Sequence, residues 1–189
     1  ASVLSTGITR IFNAAREPEV TELCNFLIEA GARICGKGSA FIEVEGVEKL
    51  HKVEFTLSSD RIVAGTYMAA VAATGGNVLL TGVPVCHIES TIRVLRRVGC
   101  GIDVLKDSLR ISQNKRPLSL DQLKTQPYPG FPTDMQSQLM SVLCVADGKS
   151  TIMEEIFESR YQNVSELIKM GADITLEAEG NKAVISGVK

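Results

Sequence analysis

The sequence contains no tryptophan and only two histidines, and aromatic residues make up 5% of its 189 positions. It has no basic excess either, since 20 Lys and Arg stand against 22 Asp and Glu. Proteins that bind RNA usually present a basic face with interleaved aromatic side chains, so this composition argues against nucleic acid as a partner. No apolar run approaches the roughly 20 residues of a membrane-spanning helix, and no signal peptide is visible. With 44% hydrophobic residues, the chain is expected to be globular, cytoplasmic and without a membrane partner.

The five cysteines are scattered through apolar runs and are odd in number, which argues against a disulfide framework. Their positions are Cys24, Cys35, Cys86, Cys100 and Cys144. We expect buried free thiols in a reducing compartment. No Cys and His spacing resembles a zinc site, so no metal ion is expected.

An eight-residue pattern, Leu-x-x-x-Gly-[Ala/Cys]-x-Ile, occurs at residues 27–34, 95–102 and 167–174. Glycine is the residue that best tolerates the left-handed conformation at the end of a helix, so each copy predicts a helix followed directly by a strand. The copies start 68 and 72 residues apart. This regular spacing predicts one supersecondary unit that is used several times.

The residues around each copy predict the rest of the unit. In the first copy an apolar stripe at helical spacing follows Pro18, which suits the first helical position. A strand that begins at a glycine precedes each of these helices, and before two of those strands lies a helix that is apolar nearly all round and therefore expected to be buried. The unit is thus predicted as helix–strand–helix–strand–strand over about 70 residues. The first apolar stripe is Val20, Leu23, Cys24, Leu27 and Ile28, and the second is Ile88, Ile92, Leu95 and Val98. The predicted apolar helices are 62–73 and 139–146. The predicted first strands of the three units are 7–11, 76–80 and 148–152, and the predicted last strands are 41–44, 109–112 and 183–186.

Residues 1–7 align with residues 70–76, which belong to the end of a predicted buried helix and the strand after it. A chain that started there would expose apolar surface and unpaired backbone groups. We therefore expect a fragment of a longer protein, or one piece of a nicked one, whose partner would be the remainder of its own chain.

Two motifs suggest phosphate binding but have simpler explanations. Residues 31–37 fit Gly-x-x-x-x-Gly-Lys, but Gly38 stands where a phosphate-binding loop needs Ser or Thr, and a helix here runs into a strand instead of the reverse. Arg93, Arg96 and Arg97 share one predicted helix. They form either an anion patch or, as we favour, a solvated helix face.

Four polar segments lie next to predicted helices and are harder to dismiss: 13–19, 58–61, 128–135 and 156–161. In the second and third, Asp60 and Asp134 could simply cap the helices that follow. The fourth lies on a turn between a strand and a helix, where backbone N–H groups can face an anion. From the residues alone, capping and function both remain open for each aspartate.

At these segments the sequence resembles the enolpyruvyl transferase family. Three strings carry the resemblance, and a weaker fourth joins Asp60-Arg61-Ile62 to Gly65-Thr66. In the string at residues 156–161 the family pattern would have Asn at position 159 and Phe at position 161. The resemblance covers essentially all 189 residues, in the family's order and spacing, and its strings are Asn-Ala-Ala-Arg-Glu-Pro-Glu (13–19), Pro-Gly-Phe-Pro-Thr-Asp-Met-Gln (129–136) and Ile-Phe-Glu-Ser-Arg-Tyr (156–161).

The resemblance implies an α/β fold, the inside-out α/β barrel of the enolpyruvyl transferases, in which helices lie inside and sheets outside. A complete protein would have two domains of three units each, with substrates bound in the cleft between them. Residues 1–58 would close one domain, and residues 59–189 would supply two units of the other, with the hinge near Ser58–Asp60.

The resemblance also implies an activity. In the branch of the family that these strings match, the enolpyruvyl group of phosphoenolpyruvate passes to the 3′-hydroxyl of UDP-N-acetylglucosamine and phosphate is released. This transfer begins peptidoglycan synthesis and needs neither a metal nor a cofactor. It does need a base at the acceptor hydroxyl and cations beside the anionic substrates.

The family's site residues carry over to six positions. Asp134 resembles the carboxylate that contacts the sugar 3′-hydroxyl and acts as its base. Ile156 resembles the backbone position that holds the nucleotide sugar, with Phe157 lining that pocket, and Arg160 resembles a cleft arginine that neutralises the substrates. We expect Asp134 and Arg160 to share one crevice. The remaining positions, with less defined cleft and hinge roles, are Arg61 and Glu17.

The family's loop nucleophile, a Cys or an Asp, would precede the first residue of this chain. None of the five cysteines is therefore expected to be catalytic, and the chain alone is expected to be inactive. Three alternatives stay open: the sister transferase that acts on shikimate phosphate, a non-catalytic paralogue, and an RNA-binding protein with similar repeats.

Overall fold

The structure, a computed structural model, describes residues 1–177 and 180–189. Its helices are α1 (Pro18–Glu29), α2 (Arg61–Thr74), α3 (Glu89–Arg97), α4 (Gln136–Cys144) and α5 (Val164–Lys169). Its strands are β1 (Ile8–Phe12), β2 (Arg33–Cys35), β3 (Phe41–Glu45), β4 (Gly76–Thr81), β5 (Gly101–Val104), β6 (Ser108–Gln113), β7 (Leu123–Lys124), β8 (Lys149–Met153), β9 (Asp173–Leu176) and β10 (Lys182–Ser186). Short 3₁₀ helices occupy Ser2–Leu4, Val85–His87 and Thr133–Met135.

The described residues form two compact units. One contains residues 1–58 with 127–129, and the other contains residues 59–126 with 130–189. The assignment of residues 1–58 and 59–189 to two domains of the enolpyruvyl transferase type stays a prediction.

The first unit is a three-stranded antiparallel sheet with one helix. Its strand order is β1-β3-β2, and α1 connects β1 to β2. The small core between the helix and the sheet contains Val3, Cys24, Ala32, Ile42 and Val44. Pro18 occupies the first helical position of α1, as the sequence predicted.

The second unit repeats this arrangement twice. Its sheets have the orders β4-β6-β5 and β8-β10-β9, so in all three sheets the last strand in the chain lies between the other two. The strand β7 extends the third sheet by pairing in parallel with β8, and this strand was not predicted from the sequence. The predicted succession of helix, strand, helix, strand and strand is otherwise confirmed in both complete units.

The three repeated patterns adopt one local geometry. Gly31, Gly99 and Gly171 have φ angles of 100°, 101° and 98°, the left-handed region that L side chains rarely adopt. In each copy the residue after this glycine donates its amide hydrogen to the carbonyl of the repeated leucine, at 2.8 to 3.0 Å. The glycine itself donates to the next carbonyl along, which completes a Schellman motif. The pattern therefore marks the ends of three helices, as predicted.

The isoleucine that ends each pattern pairs with an apolar residue of the central strand. That partner is 4% exposed or less in every sheet, so each pair sets the register of its unit against the core. The pairs are Ile34 with Val44, Ile102 with Ile111, and Ile174 with Ile185.

The core of the second unit lies between its two sheets and the helices α2 and α4. Gly65 of α2 allows the close approach of Met135, because a Cβ at residue 65 would lie 2.7 Å from the Met135 sulfur. One prediction needs correction here. The helix α2 is not buried all round, since Val63 and Tyr67 are 52% and 61% exposed on the side that faces away from the core.

Three further expectations about burial were wrong. Leu23 is 57% exposed, because the face of α1 that packs on the sheet is narrower than the apolar stripe and centres on Cys24. Cys35 ends a short strand and Cys86 lies in a 3₁₀ turn, and both are exposed. The thiols of Cys24, Cys100 and Cys144 are buried, and none of the five cysteines forms a disulfide.

Candidate active site

Asp134 lies in the 3₁₀ turn Thr133–Met135, directly before α4. Among the described residues no amide of either helix donates to its side chain, and the N-cap positions are Pro132 and Met135. The capping role that the sequence left open is therefore not seen. Its Oδ1 instead accepts a hydrogen bond from Nη2 of Arg160 at 2.6 Å. The carboxylate is 55% exposed, and it therefore remains accessible to a ligand.

Arg160 lies on the turn that leads from β8 to α5, and its side chain is 38% exposed. Its guanidinium carbon lies 5.3 Å from the centre of the Phe157 ring, a cation–π distance. The ring and Asp134 together fix the direction of the guanidinium. The structure thus places a carboxylate that can accept a proton beside a guanidinium that can neutralise an anion.

The segment that contains Ile156 and Phe157 lines an open cavity of about 960 Å³. Ser159, Tyr161 and Asn181 contribute to the same wall, whereas Asp134 and Arg160 are not among the lining residues. The sequence suggested that backbone N–H groups of this turn can face an anion. Those of Ile156 and Phe157 do so, but the anion is a carboxylate of the protein itself.

That carboxylate belongs to Glu154, a residue that the sequence reasoning missed. Glu154 is 4% exposed, and its Oε1 accepts from Ile156 N at 3.0 Å, from Phe157 N at 3.2 Å and from Thr125 Oγ1 at 2.8 Å. Its Oε2 accepts from Thr133 Oγ1 at 2.9 Å. Glu154 directly follows β8, whose mixed sequence Lys-Ser-Thr-Ile-Met gives no sign that the next carboxylate is buried. Its burial is tolerated because these donors satisfy its charge.

Tyr161, at the end of the 156–161 segment, is tied by its hydroxyl group to β8 and to the residue before β10. Its hydroxyl lies 3.0 Å from the carbonyl oxygen of Ile152 and 3.2 Å from that of Asn181. Burial, with a further contribution from the negative charge of Glu154, raises the pKa of Tyr161 to about 12. The hydroxyl therefore stays protonated near neutral pH, and it acts as a structural donor.

Ser159 has a φ angle of 58°, a left-handed conformation that is unusual for a residue other than glycine. Asparagine tolerates this conformation better than serine does. The resemblance places Asn at this position in the family pattern, and the backbone angle supplies a physical reason for that preference.

Arg61 is the first residue of α2 and is 8% exposed. Gly65 follows one turn later on the same face, and that face packs on Met135, the neighbour of Asp134. Asp60, the residue before Arg61, accepts hydrogen bonds from the amides of Ile62 and Val63 and so caps α2. For Asp60 the capping explanation is confirmed.

Glu17 belongs to the first unit, where it is half-buried. Its Oε1 accepts a hydrogen bond from the amide of Tyr128 at 3.3 Å, and Arg16 donates to the carbonyl oxygen of the same residue at 3.3 Å. These two contacts hold the segment 127–129 within that unit. Glu17 provides no side-chain cap for α1, although it occupies the N-cap position.

The three arginines of α3 lie along a second cavity, of about 580 Å³. Arg96 donates to the carbonyl oxygen of Ile102 at 2.8 Å and so stabilises the junction between α3 and β5. Arg93 and Arg97 are exposed, as the solvated-face interpretation predicts.

Within residues 1–177 and 180–189, no group of three or more His, Cys, Asp or Glu side chains is arranged to hold a metal ion. No helix in the part of the chain that the structure describes has the length and apolarity to cross a membrane.

The family model for EPSP synthase (3-phosphoshikimate 1-carboxyvinyltransferase) matches residues 1–189 of this sequence. The chain belongs to the EPSP synthase family. Members of this family are the enolpyruvyl transferases, since 1-carboxyvinyl is another name for the enolpyruvyl group. The family resemblance of the four motifs is thereby confirmed.

Curated relatives carry the name of the branch that acts on a nucleotide sugar. UDP-N-acetylglucosamine 1-carboxyvinyltransferase 2 of Caldanaerobacter subterraneus subsp. tengcongensis is 48% identical over 188 residues, and the corresponding enzyme of Nitratidesulfovibrio vulgaris (strain Hildenborough) is 45% identical over 189 residues. Both alignments cover 100% of this chain and 45% of the relative. The chain therefore spans less than half the length of these EPSP synthase family members.

Solved structures show the same fold. The enolpyruvyl transferase NikO from Streptomyces tendae superposes with a TM-score of 0.84 over 98% of this chain and 44% of its own, at 22% identity. EPSP synthase from Acinetobacter baumannii superposes with a TM-score of 0.70 over 99% of this chain and 44% of its own, at 20% identity. The predicted α/β fold of the enolpyruvyl transferase type is confirmed.

Proposed function

We propose that this protein transfers the enolpyruvyl group of phosphoenolpyruvate to the 3′-hydroxyl of UDP-N-acetylglucosamine and releases phosphate. Relatives at 48% and 45% identity bear the name of that activity. The observation that carries the proposal is the pairing of Asp134 with Arg160, in which an accessible carboxylate lies 2.6 Å from a guanidinium.

In this proposal Asp134 accepts the proton of the sugar hydroxyl as that oxygen bonds to C2 of phosphoenolpyruvate and the methylene carbon takes up a proton. Loss of a proton from the resulting methyl group and departure of phosphate from C2 then restore the double bond. Its Oδ1 is bound to Arg160, while no described residue binds Oδ2, which is therefore the oxygen that would face the hydroxyl. The contact with Arg160 holds the carboxylate in one orientation. Arg160 offsets the negative charge that both substrates bring to the site.

Of the remaining predicted site residues, two would contact the nucleotide sugar and two would lie at the cleft and the hinge. The amide of Ile156 is occupied by Glu154, so a backbone contact to the sugar would use the Ile156 carbonyl oxygen. Phe157 is 57% exposed, and its ring offers an apolar wall to the open cavity of about 960 Å³ that this segment lines. Arg61 and Glu17 stay proposed cleft and hinge residues, and the structure assigns them no chemical step.

The transfer would place the protein at the start of peptidoglycan synthesis in the cytoplasm of a bacterium. Free thiols at all five cysteines agree with a reducing compartment. The substrates named above would then be its small-molecule partners.

A second candidate is the transfer of enolpyruvyl to shikimate 3-phosphate, because the matching family model bears the name of that activity. The solved EPSP synthase is only 20% identical to this chain, less than half the identity of the nucleotide-sugar relatives. We therefore favour UDP-N-acetylglucosamine as the acceptor.

The test uses a hybrid enzyme in which residues 1–189 replace the matching stretch of the Caldanaerobacter relative. We expect phosphate release with phosphoenolpyruvate and UDP-N-acetylglucosamine, and none with shikimate 3-phosphate. Replacing Asp134 by Asn should lower kcat at least about 100-fold, because the proposed general base is lost. The 189-residue chain alone is expected to show no turnover in the same assay.

The matched control is Asp147→Asn, which removes the carboxylate of another Asp–Arg pair of the second unit, with Arg116 at 3.4 Å. This variant should keep kcat within about 2-fold, since surface ion pairs contribute little. Turnover of phosphoenolpyruvate with shikimate 3-phosphate but not with UDP-N-acetylglucosamine would contradict the proposal, and so would full activity of Asp134→Asn.

A further inference from the structure

Glu154 joins the two segments that carry the candidate site. One carboxylate oxygen binds the Ile156–Phe157 turn and Thr125, and the other binds Thr133, the residue immediately before Asp134. Thr125 and Thr133 precede Glu154 by 29 and 21 residues, whereas Ile156 and Phe157 follow it directly in the turn.

Thr125 extends this network. It is fully buried, donates to Glu154 and accepts a hydrogen bond from the amide of Glu155 at 3.0 Å. As a result, the amides of three successive residues, Glu155, Ile156 and Phe157, are all held by Glu154 or its partner Thr125. Hydrogen bonds to a buried carboxylate are among the stronger ones, so this turn is fixed before any ligand binds.

We propose that Glu154 is a positioning residue of the candidate active site: it holds Thr133, and through it Asp134, at a fixed distance from the turn that carries Phe157 and Arg160. Glu154 is 4% exposed, and its oxygens are occupied by protein donors, so it does not act on substrate itself. This inference rests on the proposed function for its kinetic consequences, although the geometric part is independent of it.

The only direct link from Glu154 to the Asp134 turn among the described contacts is the Thr133 hydroxyl. Thr133→Val replaces that hydroxyl by a methyl group of similar size and leaves the three bonds of Oε1 in place. In the hybrid enzyme we expect kcat to fall about 10-fold or more, with KM for UDP-N-acetylglucosamine within about 3-fold, because a misplaced base slows the chemical step more than it weakens binding. Thr133→Ser restores the hydroxyl and should return kcat to within about 3-fold of the unmodified hybrid.

The matched control is Thr74→Val at the end of α2. It also removes a threonine hydroxyl that bonds to the protein, at 2.9 Å from the Ala70 carbonyl oxygen, but it lies outside the site. Thr74→Val should leave both kinetic constants unchanged. Equal kcat for Thr133→Val and Thr74→Val would overturn the proposal, and so would failure of Thr133→Ser to restore activity.

Two variants of Glu154 separate reach from charge. Gln keeps the length of the side chain, so its oxygen can still accept from the turn and its amide can donate to Thr133, whereas Asp keeps the charge but is one methylene too short to bridge both segments. Positioning predicts that Glu154→Gln retains at least about 10 times more kcat than Glu154→Asp. The reverse order would mean that the charge, and not the geometry, is what the site needs.

A measurement without turnover keeps the two proposals distinguishable. In the 189-residue chain, Thr133→Val should shift the NMR resonances of the Asp134 carboxyl carbon and the Arg160 Nε–H group, while Thr74→Val should leave both unchanged. An inactive hybrid together with these shifts would refute the proposed function and support the positioning role. Unmoved resonances in Thr133→Val would refute the positioning role whatever the activity.

Discussion

Asp60 and Asp134 both precede a helix, but their carboxylates have different partners. Asp60 accepts two amide hydrogen bonds from the first turn of α2 at 2.7 and 3.0 Å, and it is therefore used structurally. Asp134 makes no such bond and accepts from Arg160, which lies 26 residues further along the chain. At the scale of single residues, the long-range partner separates a candidate catalytic group from a helix cap.

The cysteines give a residue-scale prediction about reactivity. Burial raises the pKa of the Cys100 thiol to about 11 and also raises the pKa of Cys24 and Cys144, so little thiolate forms at these sites near pH 8. Cys35 and Cys86 are exposed. An aromatic disulfide reagent at pH 8 should therefore label two thiols rapidly in the folded chain and all five in guanidinium chloride.

The number of rapidly labelled thiols should fall from two to one in Cys35→Ala, and likewise in Cys86→Ala. The labelling of the three buried thiols should stay slow between pH 7 and 9, because burial raises their pKa values. Three or more rapidly labelled thiols in the folded chain would contradict the burial seen in the structure.

At the scale of elements, the three Schellman motifs show how short-range sequence sets the path of the chain. Each glycine turns the backbone by adopting a φ near 100°, and the two amide hydrogen bonds that follow satisfy carbonyls at the end of the helix. The strand that follows then starts in a fixed direction, with its isoleucine paired to the central strand. One eight-residue pattern thus determines a helix end, a turn and a strand register.

Replacing these glycines should cost similar amounts in the two sheets of the second unit. Gly99→Ala and Gly171→Ala each place a Cβ on a left-handed residue, at φ 101° and 98°, and nothing lies within 3.4 Å of either added atom. We expect each to lower the free energy of unfolding by about 1–2 kcal/mol, measured by urea denaturation. The control is Met170→Ala, a truncation of a side chain that is 84% exposed, which should change stability by less than about 0.5 kcal/mol. Glycine variants as stable as this control would show that the left-handed turn is not needed.

At the scale of the molecule, the two compact units have cores of very different size. Among the described residues, five buried apolar side chains form the core of the first unit, whereas thirty form that of the second. Because hydrophobic burial is the main stabilising contribution, a small core supports a small local stability. The first unit is therefore expected to open more readily than the second.

Hydrogen exchange can measure this difference within a single sample. Amides of the central strand β3 in the first unit should exchange at least about 10-fold faster, after correction for intrinsic rates, than those of the central strands β6 and β10 in the second. All three strands have the same position in their sheets, so they serve as controls for one another. Equal protection in the three strands would mean that the chain unfolds as one cooperative body.

Most of the fold was predictable because its signals are local. The repeated glycine pattern, Pro18 at the start of α1 and the cap at Asp60 act over a few residues, and the structure shows each of them. Burial was predicted less well, since the exposure of Leu23 depends on how wide a face α1 packs against the sheet. The strand β7 was missed because two residues carry no periodicity.

The order of helices and strands, the ends of the helices and the family were determined by the sequence itself, since neighbouring residues supply the forces and the motifs involved. Only the tertiary structure decided which carboxylates meet which donors. Asp134 finds Arg160, and Glu154 finds Thr125 and Thr133, across 21 to 29 residues of intervening chain. Such pairings depend on how the sheets and helices pack, and no local pattern specifies that packing.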